Sequence, residues 1–238
     1  MSFNKYFTKE NVEFYLKELA KEYKKENKHG PMIEVILVGG ASILLNYGFR
    51  ETTTDLDSII RGTSSLKNAI NRVGDKYNLP NGWLNSDFLY TSSNSSRLVE
   101  HSKYYKTFYN AIEVRTITAE YLIAMKLMAG RSYKKDMSDI VGIIKEQYEN
   151  KKPINIENIN KAVIELYGNW DSIDSDMIEL LEQAISSESI DKLYNNILEE
   201  EQKNKVALLK AENKYKAVIN EDNLQNFIDF FTDKDKSE

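Results

Sequence analysis

Two carboxylates one residue apart, Asp55 and Asp57, are the side chains whose type and spacing best suit chemistry. They stand in Asp55-Leu56-Asp57-Ser58-Ile59-Ile60, where apolar residues suited to a strand alternate with the acids. Side chains two apart on a strand share a face, so this reading has both acids presenting hard oxygen donors to one divalent-ion site, with Leu56 turned to the core. A second cluster lies just upstream. The β-branched run Ile33 to Val38 ends on Gly39-Gly40, and Ala41 to Asn46 then reads as a helix. Glycines there allow a sharp turn and close approach, and the free amides and positive end of the following helix suit phosphate. Phosphoryl transfer needs divalent ions on phosphate oxygens, an aligned nucleophile and little else, so both clusters point to chemistry on a nucleoside triphosphate (NTP).

The elements that must hold these residues are legible in part. Val12, Tyr15, Leu16, Leu19 and Tyr23 recur at helical spacing after Thr8, a good N-cap, and Gly30-Pro31 stops the pattern. Ser64 is read as the cap of a helix with Leu66, Ile70, Val73 and Tyr77 inside, broken between Asn78 and Gly82. The stretch from Trp83 to Tyr109 shows no clear period. Ala111 to Thr116 reads as a third strand, followed by a helix through Tyr121, Leu122, Met125 and Met128 and another from about Lys135 to Tyr148. Beyond Lys151-Lys152-Pro153 the periodicity is helical throughout, in Ile159 to Tyr167, Met177 to Ile185 and a long charged stretch through Tyr215. The expectation is an α/β (α+β) fold: a small mixed sheet flanked by helices in residues 1–150, then an all-helical domain in residues 151–238.

Composition excludes several alternatives. The 238 residues contain no cysteine, which removes disulfides, thiolate zinc sites and cysteine nucleophiles, and His29 and His101 are the only imidazoles. A formal net charge of -5 gives no whole-chain attraction for a polyanion, so bound nucleic acid needs a local basic patch. No apolar run approaches the roughly 20 residues of a membrane-spanning helix, and no leader pattern opens the chain; a cytoplasmic protein without membrane contact is expected.

Taken together, the order strand, Gly39-Gly40, short helix, Thr54-Asp55-Leu56-Asp57 resembles the minimal signature of the DNA polymerase beta-like nucleotidyltransferase superfamily. More narrowly, Leu37-Val-Gly-Gly-Ala-Ser-Ile-Leu-Leu45 and Arg50-Glu-Thr-Thr-Thr-Asp-Leu-Asp57 look like bacterial nucleotidyltransferase-like proteins related to the AbiEii toxin of abortive-infection and toxin–antitoxin systems. Leu122-Ile-Ala-Met-Lys126-Leu-Met-Ala-Gly-Arg131 with Lys135-Asp136-Met-Ser-Asp139 is similar to that family's Lys-x-x-Ala…Arg…Asp-x-x-Asp motif. Leu79-Pro-Asn-Gly-Trp-Leu-Asn85 also resembles a recurring stretch of these proteins, without an evident chemical role. The resemblance covers about the first 150 residues.

The resemblance implies transfer of a nucleoside monophosphate from an NTP to a hydroxyl of tRNA, another RNA or a protein, in a toxin with a cognate antitoxin partner. It implies two magnesium ions on Asp55 and Asp57, with Glu113, on the third strand, as a further metal ligand and base, and Asp87 as its rival. Lys126 and Arg131 would balance phosphate charge, and Asp136 would join the catalytic set, with Asp139 behind it. Gly39, Gly40 and Ser42 would receive the nucleotide, Ser42 standing in for a serine that the family commonly carries where this chain has Gly40. Each residue also has a plain structural reading. Glu113 could be a solvated acid, Lys126 a snorkelling lysine, and Arg131, Lys134 and Lys135 a helix-end charge cluster. Arg50 reads as a partner of Asp55 or Asp57 more readily than of phosphate. Tyr104 to Tyr109, interleaved with Lys103 and Lys106, suits either base stacking or amphipathic packing. Two other functions stay open: a small cationic acceptor, and a degenerate member that keeps the fold as a binding or regulatory module.

Overall fold

A computed structural model describes residues 6–28, 30–61, 64–132 and 134–214; His29 and the end of the charged stretch at Tyr215 lie outside them. The chain divides into two compact units, one of Met1–Met125 with Glu157–Asp171, the other of Lys126–Ile156 with Ser172–Glu238. The first unit is thus made of two chain segments, with residues 126–156 between them.

The first unit is built on a five-stranded sheet in the order β3-β2-β1-β5-β4. The strands are β1 (Ile33–Leu37), β2 (Leu56–Ile60), β3 (Leu84–Asn85), β4 (Ser102–Phe108) and β5 (Ile112–Ile117). Central β1 runs antiparallel to β2 and parallel to β5, so the sheet is mixed as expected. Val35 lies opposite Ile60 and Val114, and Leu37 opposite Ser58 and Thr116; partners across a ladder share a face. One face thus carries Ile33, Val35, Leu37, Leu56, Ile112 and Val114, all buried in a single apolar core.

Helices α1 (Lys9–Glu26) and α3 (Ser64–Tyr77) supply apolar stripes to that core, through Val12, Leu16 and Leu19 from α1 and Leu66, Ala69 and Val73 from α3. α1 begins where the sequence indicates: the Thr8 hydroxyl accepts from the Asn11 amide at 3.4 Å, and Asn11 Oδ1 accepts from the Thr8 amide at 2.9 Å. Glu18 of α1 is buried yet satisfied, accepting from Tyr77 Oη at 2.6 Å and Lys76 Nζ at 3.0 Å of α3 and pairing with Lys21. Hydrogen bonds from Lys21, Tyr77 and Lys76 hold its carboxyl at about 2, well below the usual range.

The unread stretch from Trp83 to Tyr109 contains the edge strands. β3 has only two residues, too short for a period. Upstream of it Trp83 is buried, packs on Phe7 and Tyr15, and donates from Nε1 to the Ile70 carbonyl at 3.1 Å. β4 has a register irregularity between Tyr104 and Lys106, which interrupts its alternation. It joins β5 through Tyr109 and Asn110, both at positive φ, a tight turn made without glycine. Glu13 of α1 takes Tyr105 Oη and Lys106 Nζ at 2.6 Å each, so these two members of the Tyr-Lys run pack, while Tyr104 is exposed.

Helix α6 (Ile156–Tyr167) belongs to the first unit although it follows residue 150. Its Glu165 accepts from Tyr121 Oη and lies 3.6 Å from His101 Nε2, and the His101 and Tyr121 rings stack at 3.6 Å. Tyr167 donates to the Ser93 carbonyl at 2.8 Å. The second unit starts inside α4 (Ala119–Ala129) and contains α5 (Asp136–Glu149), α7 (Ser175–Ser186) and α8 (Ile190–Lys214). It is helical, as expected, with Ile140, Val141, Ile143, Leu180, Leu181 and Ile197 buried. Glu201 of α8 accepts from the Ser138 amide in the first turn of α5 at 2.9 Å; burial pushes this carboxyl up to about 7.

Two outcomes follow from this packing. Trp83→Ala removes a fully packed indole and its hydrogen bond, and denaturant titration is expected to register a loss of about 3–5 kcal/mol. Glu18 is stabilised in its ionised form, so its contribution is complete above the unfolded-state value near 4.5 and disappears as pH falls toward about 2. Thermal melts should therefore show Glu18→Gln below wild type at pH 7, with the gap closing steadily between pH 4.5 and pH 2.

Candidate nucleotide site

The site residues of the first unit gather where β1 ends and β2 begins. Val38 donates to the Asp57 carbonyl at 2.9 Å, one step beyond the Leu37–Ser58 pair, so Asp57 sits directly beside the residue that leads into the glycine turn. Asp57 falls on the face opposite the apolar core, is half-buried, and lies opposite Asn85 of parallel β3. Asp55 is exposed and stands just outside the ladder, because β2 starts at Leu56 rather than at Asp55. The two acids remain one residue apart at the head of the strand.

The two glycines are required for different reasons. Gly39 has φ of +50°, a conformation that L side chains rarely adopt, and a Cβ there would meet nothing within 4 Å. Gly40 is sterically closed: a Cβ would lie 2.7 Å from Arg50 Nη2, 2.9 Å from Thr53 Oγ1 and 3.1 Å from Arg50 Cζ. Helix α2 (Gly39–Asn46) begins at this turn with no side-chain cap and no acid in its first turn. Its opposite flank is fastened to β5. Asn46 Nδ2 donates to the Ile117 carbonyl at 3.1 Å, and Asn46 Oδ1 accepts from the Thr116 hydroxyl at 2.9 Å. Ser42 is fully buried and its hydroxyl accepts from the Ile117 amide at 2.9 Å. This hydroxyl, expected from the sequence at the nucleotide, ties α2 to the end of β5.

Glu113 lies on the same face of the sheet as Asp57 but stands far along it. It lies opposite Glu34 of β1, four residues before Val38, which is about 13 Å of strand at roughly 3.3 Å per residue. Arg115 holds it at 3.0 Å and also reaches Glu34 at 3.6 Å and the Ser102 hydroxyl at 2.8 Å. The positions of β5 nearer Asp57 on this face are Arg115 and Ile117, so the structure does not bring Glu113 to the acids of β2. Asp87 is exposed in the short 3-10 turn after β3, its amide donating to Asn85 Oδ1 at 2.7 Å. Among the described residues no three or more His, Asp or Glu side chains gather as a metal cage. Two carboxylates nevertheless fit magnesium, which is usually held by one or two acids, with phosphate oxygens and waters completing its octahedron.

Lys126, Arg131 and Asp136 meet one another in the second unit. Lys126 Nζ is buried between Asp136 at 2.6 Å and Asp139 at 2.8 Å, and Arg131 Nε reaches Asp136 at 2.8 Å. Burial pushes the Asp136 carboxyl up, but Lys126 and Arg131 outweigh it and hold the group at about 2. Lys126 and its partners on α5 lie in the same unit. These charges neutralise each other within the helices; the snorkelling alternative for Lys126 does not apply, since the ammonium is buried with its partners.

One contributor is not evident from spacing: Asn85 ends the run Leu79 to Asn85, and only strand pairing places it beside Asp57. Arg50, which the sequence singles out as a partner of Asp55 or Asp57 or of phosphate, has its guanidinium against Gly40.

Among the described residues no helix is long and apolar enough to cross a membrane. No curated protein and no solved structure matches the chain. Residues 15–165, more than half of it and including the glycine turn, both acids of β2, Asn85 and the Lys126–Asp139 cluster, match the family described as nucleotidyltransferase of unknown function (DUF6036). The strand, glycine turn, short helix and acid-headed strand thus lie within the matched region, and the chain belongs to that nucleotidyltransferase family.

Proposed function

We propose that this protein is a magnesium-dependent nucleotidyltransferase that moves a nucleoside monophosphate from an NTP to a hydroxyl of an RNA, with tRNA foremost, or of a protein. The observation that carries this reading is the 2.9 Å bond from Val38 to Asp57, which sets an acid at the head of β2 against the glycine turn. Magnesium, when bound, neutralises phosphate oxygens and acidifies a hydroxyl that it contacts. Asp55 and Asp57 would hold it. The open side of Gly39 and the uncapped first turn of α2 leave room and amide donors for phosphate oxygens.

In the transfer, the acceptor oxygen bonds to the α-phosphorus as the bond to the bridging oxygen breaks and pyrophosphate leaves. The hydroxyl proton passes to a carboxylate at the head of β2, for which exposed Asp55 is the accessible choice. Glu113 is left out of this scheme on grounds of register, and Lys126 with Asp136 is assigned to holding the helical unit together. Kinship with the AbiEii toxins, and an antitoxin partner, belong to the same proposal and rest on the sequence resemblance.

A second reading has its own support. The face around Asp57 offers Arg115 and Ile117 where a third acid would stand, so a member that binds nucleotide without transferring it is the competing possibility. Labelled NTP, magnesium and total RNA or protein separate the two. Under the first reading label enters a macromolecule, Asp57→Asn lowers the rate on the order of 100-fold or more, and chelation abolishes it. Magnesium-dependent NTP binding with no label transferred to any acceptor would establish the second, and NTP binding indifferent to both Asp57→Asn and chelator would refute the metal site itself.

A further inference from the structure

We propose that the seating of α8 on α5 is a proton-controlled latch: Glu201 docks as the neutral acid, and the seam loosens when that carboxyl ionises. α8 runs back along α5, with Lys145 Nζ on Asp191 at 2.8 Å toward one end and the Ser138 amide on Glu201 at 2.9 Å toward the other. Ile197, Glu201, Asn204 and Ala207 recur at helical spacing and are the buried stripe of α8 among the described residues. Asn204 is satisfied, donating to the Ser132 carbonyl at 3.2 Å. Glu201 is only 7% exposed, and Ser138 is the residue that donates to it. With Ile197 and Ala207 as the apolar members of the stripe, one buried charge weighs heavily against the seam.

The charges around this carboxyl do not favour its ionised form. Lys126 of α4 lies between Asp136 and Asp139 of α5, at 2.6 Å and 2.8 Å, and Arg131 also holds Asp136, so two cations already face two acids. An ionised Glu201 is a third acid beside them, and among the described residues it forms no ion pair. Lys134 and Lys135 ahead of α5 are exposed, as are Glu200, Lys203 and Lys205 on α8 itself. The buried residues of α7, Met177, Leu180, Leu181 and Ala184, bring no titratable group. Burial opposes ionisation first, and the carboxylates of Asp139 and Asp136 add to it, which pushes the group up to about 7. The docked helix thus keeps a proton that a freed Glu201 gives up above 4.5. Its contribution to the seam is complete near pH 4.5, is lost as pH rises toward about 7, and falls no further beyond that.

The test is amide hydrogen exchange of the full chain, read by mass spectrometry on peptides from Ile190 to Leu209 at pH 5.5 and pH 7.5, each corrected for the pH dependence of exchange itself. In wild type, opening of this stretch is expected to become on the order of tenfold or more as frequent between the two. Glu201→Gln keeps an acceptor for the Ser138 amide but no ionisable group, so its opening should change by less than about threefold, and at pH 7.5 it should be the better protected of the two proteins. A merely structural contact behaves otherwise, since its loss raises opening at both pH values. Should Glu201→Gln fail to fold, Glu201→Met, uncharged and of similar length, carries the comparison of slopes. A flat wild-type profile, a variant whose slope follows wild type, or a Glu201→Gln protein more open than wild type at both pH values overturns the inference.

Discussion

The pairing of β1 with β2 is the constraint on which the candidate site depends. Because side chains alternate faces, the register that sets Leu37 against Ser58 also buries Leu56 and turns Asp57 to the polar side beside the glycine turn. A slip of one residue would drive Asp57 into the apolar core and take Leu56 out of it, so the packing of α1 and α3 on the core face indirectly sets the position of the acid. The same packing that stabilises the sheet therefore fixes the distance between a carboxylate and the start of α2. Ser42 and Asn46 complete this from the other flank by fastening α2 to the end of β5.

Much of this was legible from the residues. The Thr8 cap, the apolar stripe of α1, the strand before Gly39 and the strand carrying Asp57 all follow from local pattern, because cap chemistry, helical spacing and alternation act within a few residues. The unread part lies where local rules are broken. β3 is too short to show a period, β4 changes register midway, and its turn uses Tyr109-Asn110 instead of a glycine pair. Glu113 shows a deeper limit: its place in the third strand was readable, but its distance from Asp57 depends on how β1 pairs with β5, a relation between residues some 80 apart.

Charged residues show the same limit from another side. Sequence displays Lys126, Arg131, Asp136 and Asp139 as a cluster, and helical spacing cannot tell whether they face a ligand or each other. In the second unit they face each other, with every long side chain held by an opposite charge. Removing one partner from such a group leaves a buried charge uncompensated, so a loss of function on mutation there would report on folding as readily as on chemistry.

The return of α6 to the sheet-bearing unit has a consequence for biosynthesis. Since the segment from Lys126 to Ile156 is spliced between its two parts, the first unit cannot be completed when its last strand leaves the ribosome. Tyr121 and His101 wait for Glu165, which emerges only after most of the intervening helices have been translated, a delay of several seconds at ordinary elongation rates. Over that interval the half-finished unit exposes the surface that α6 later covers, and its assembly is thereby coupled to translation of the insert.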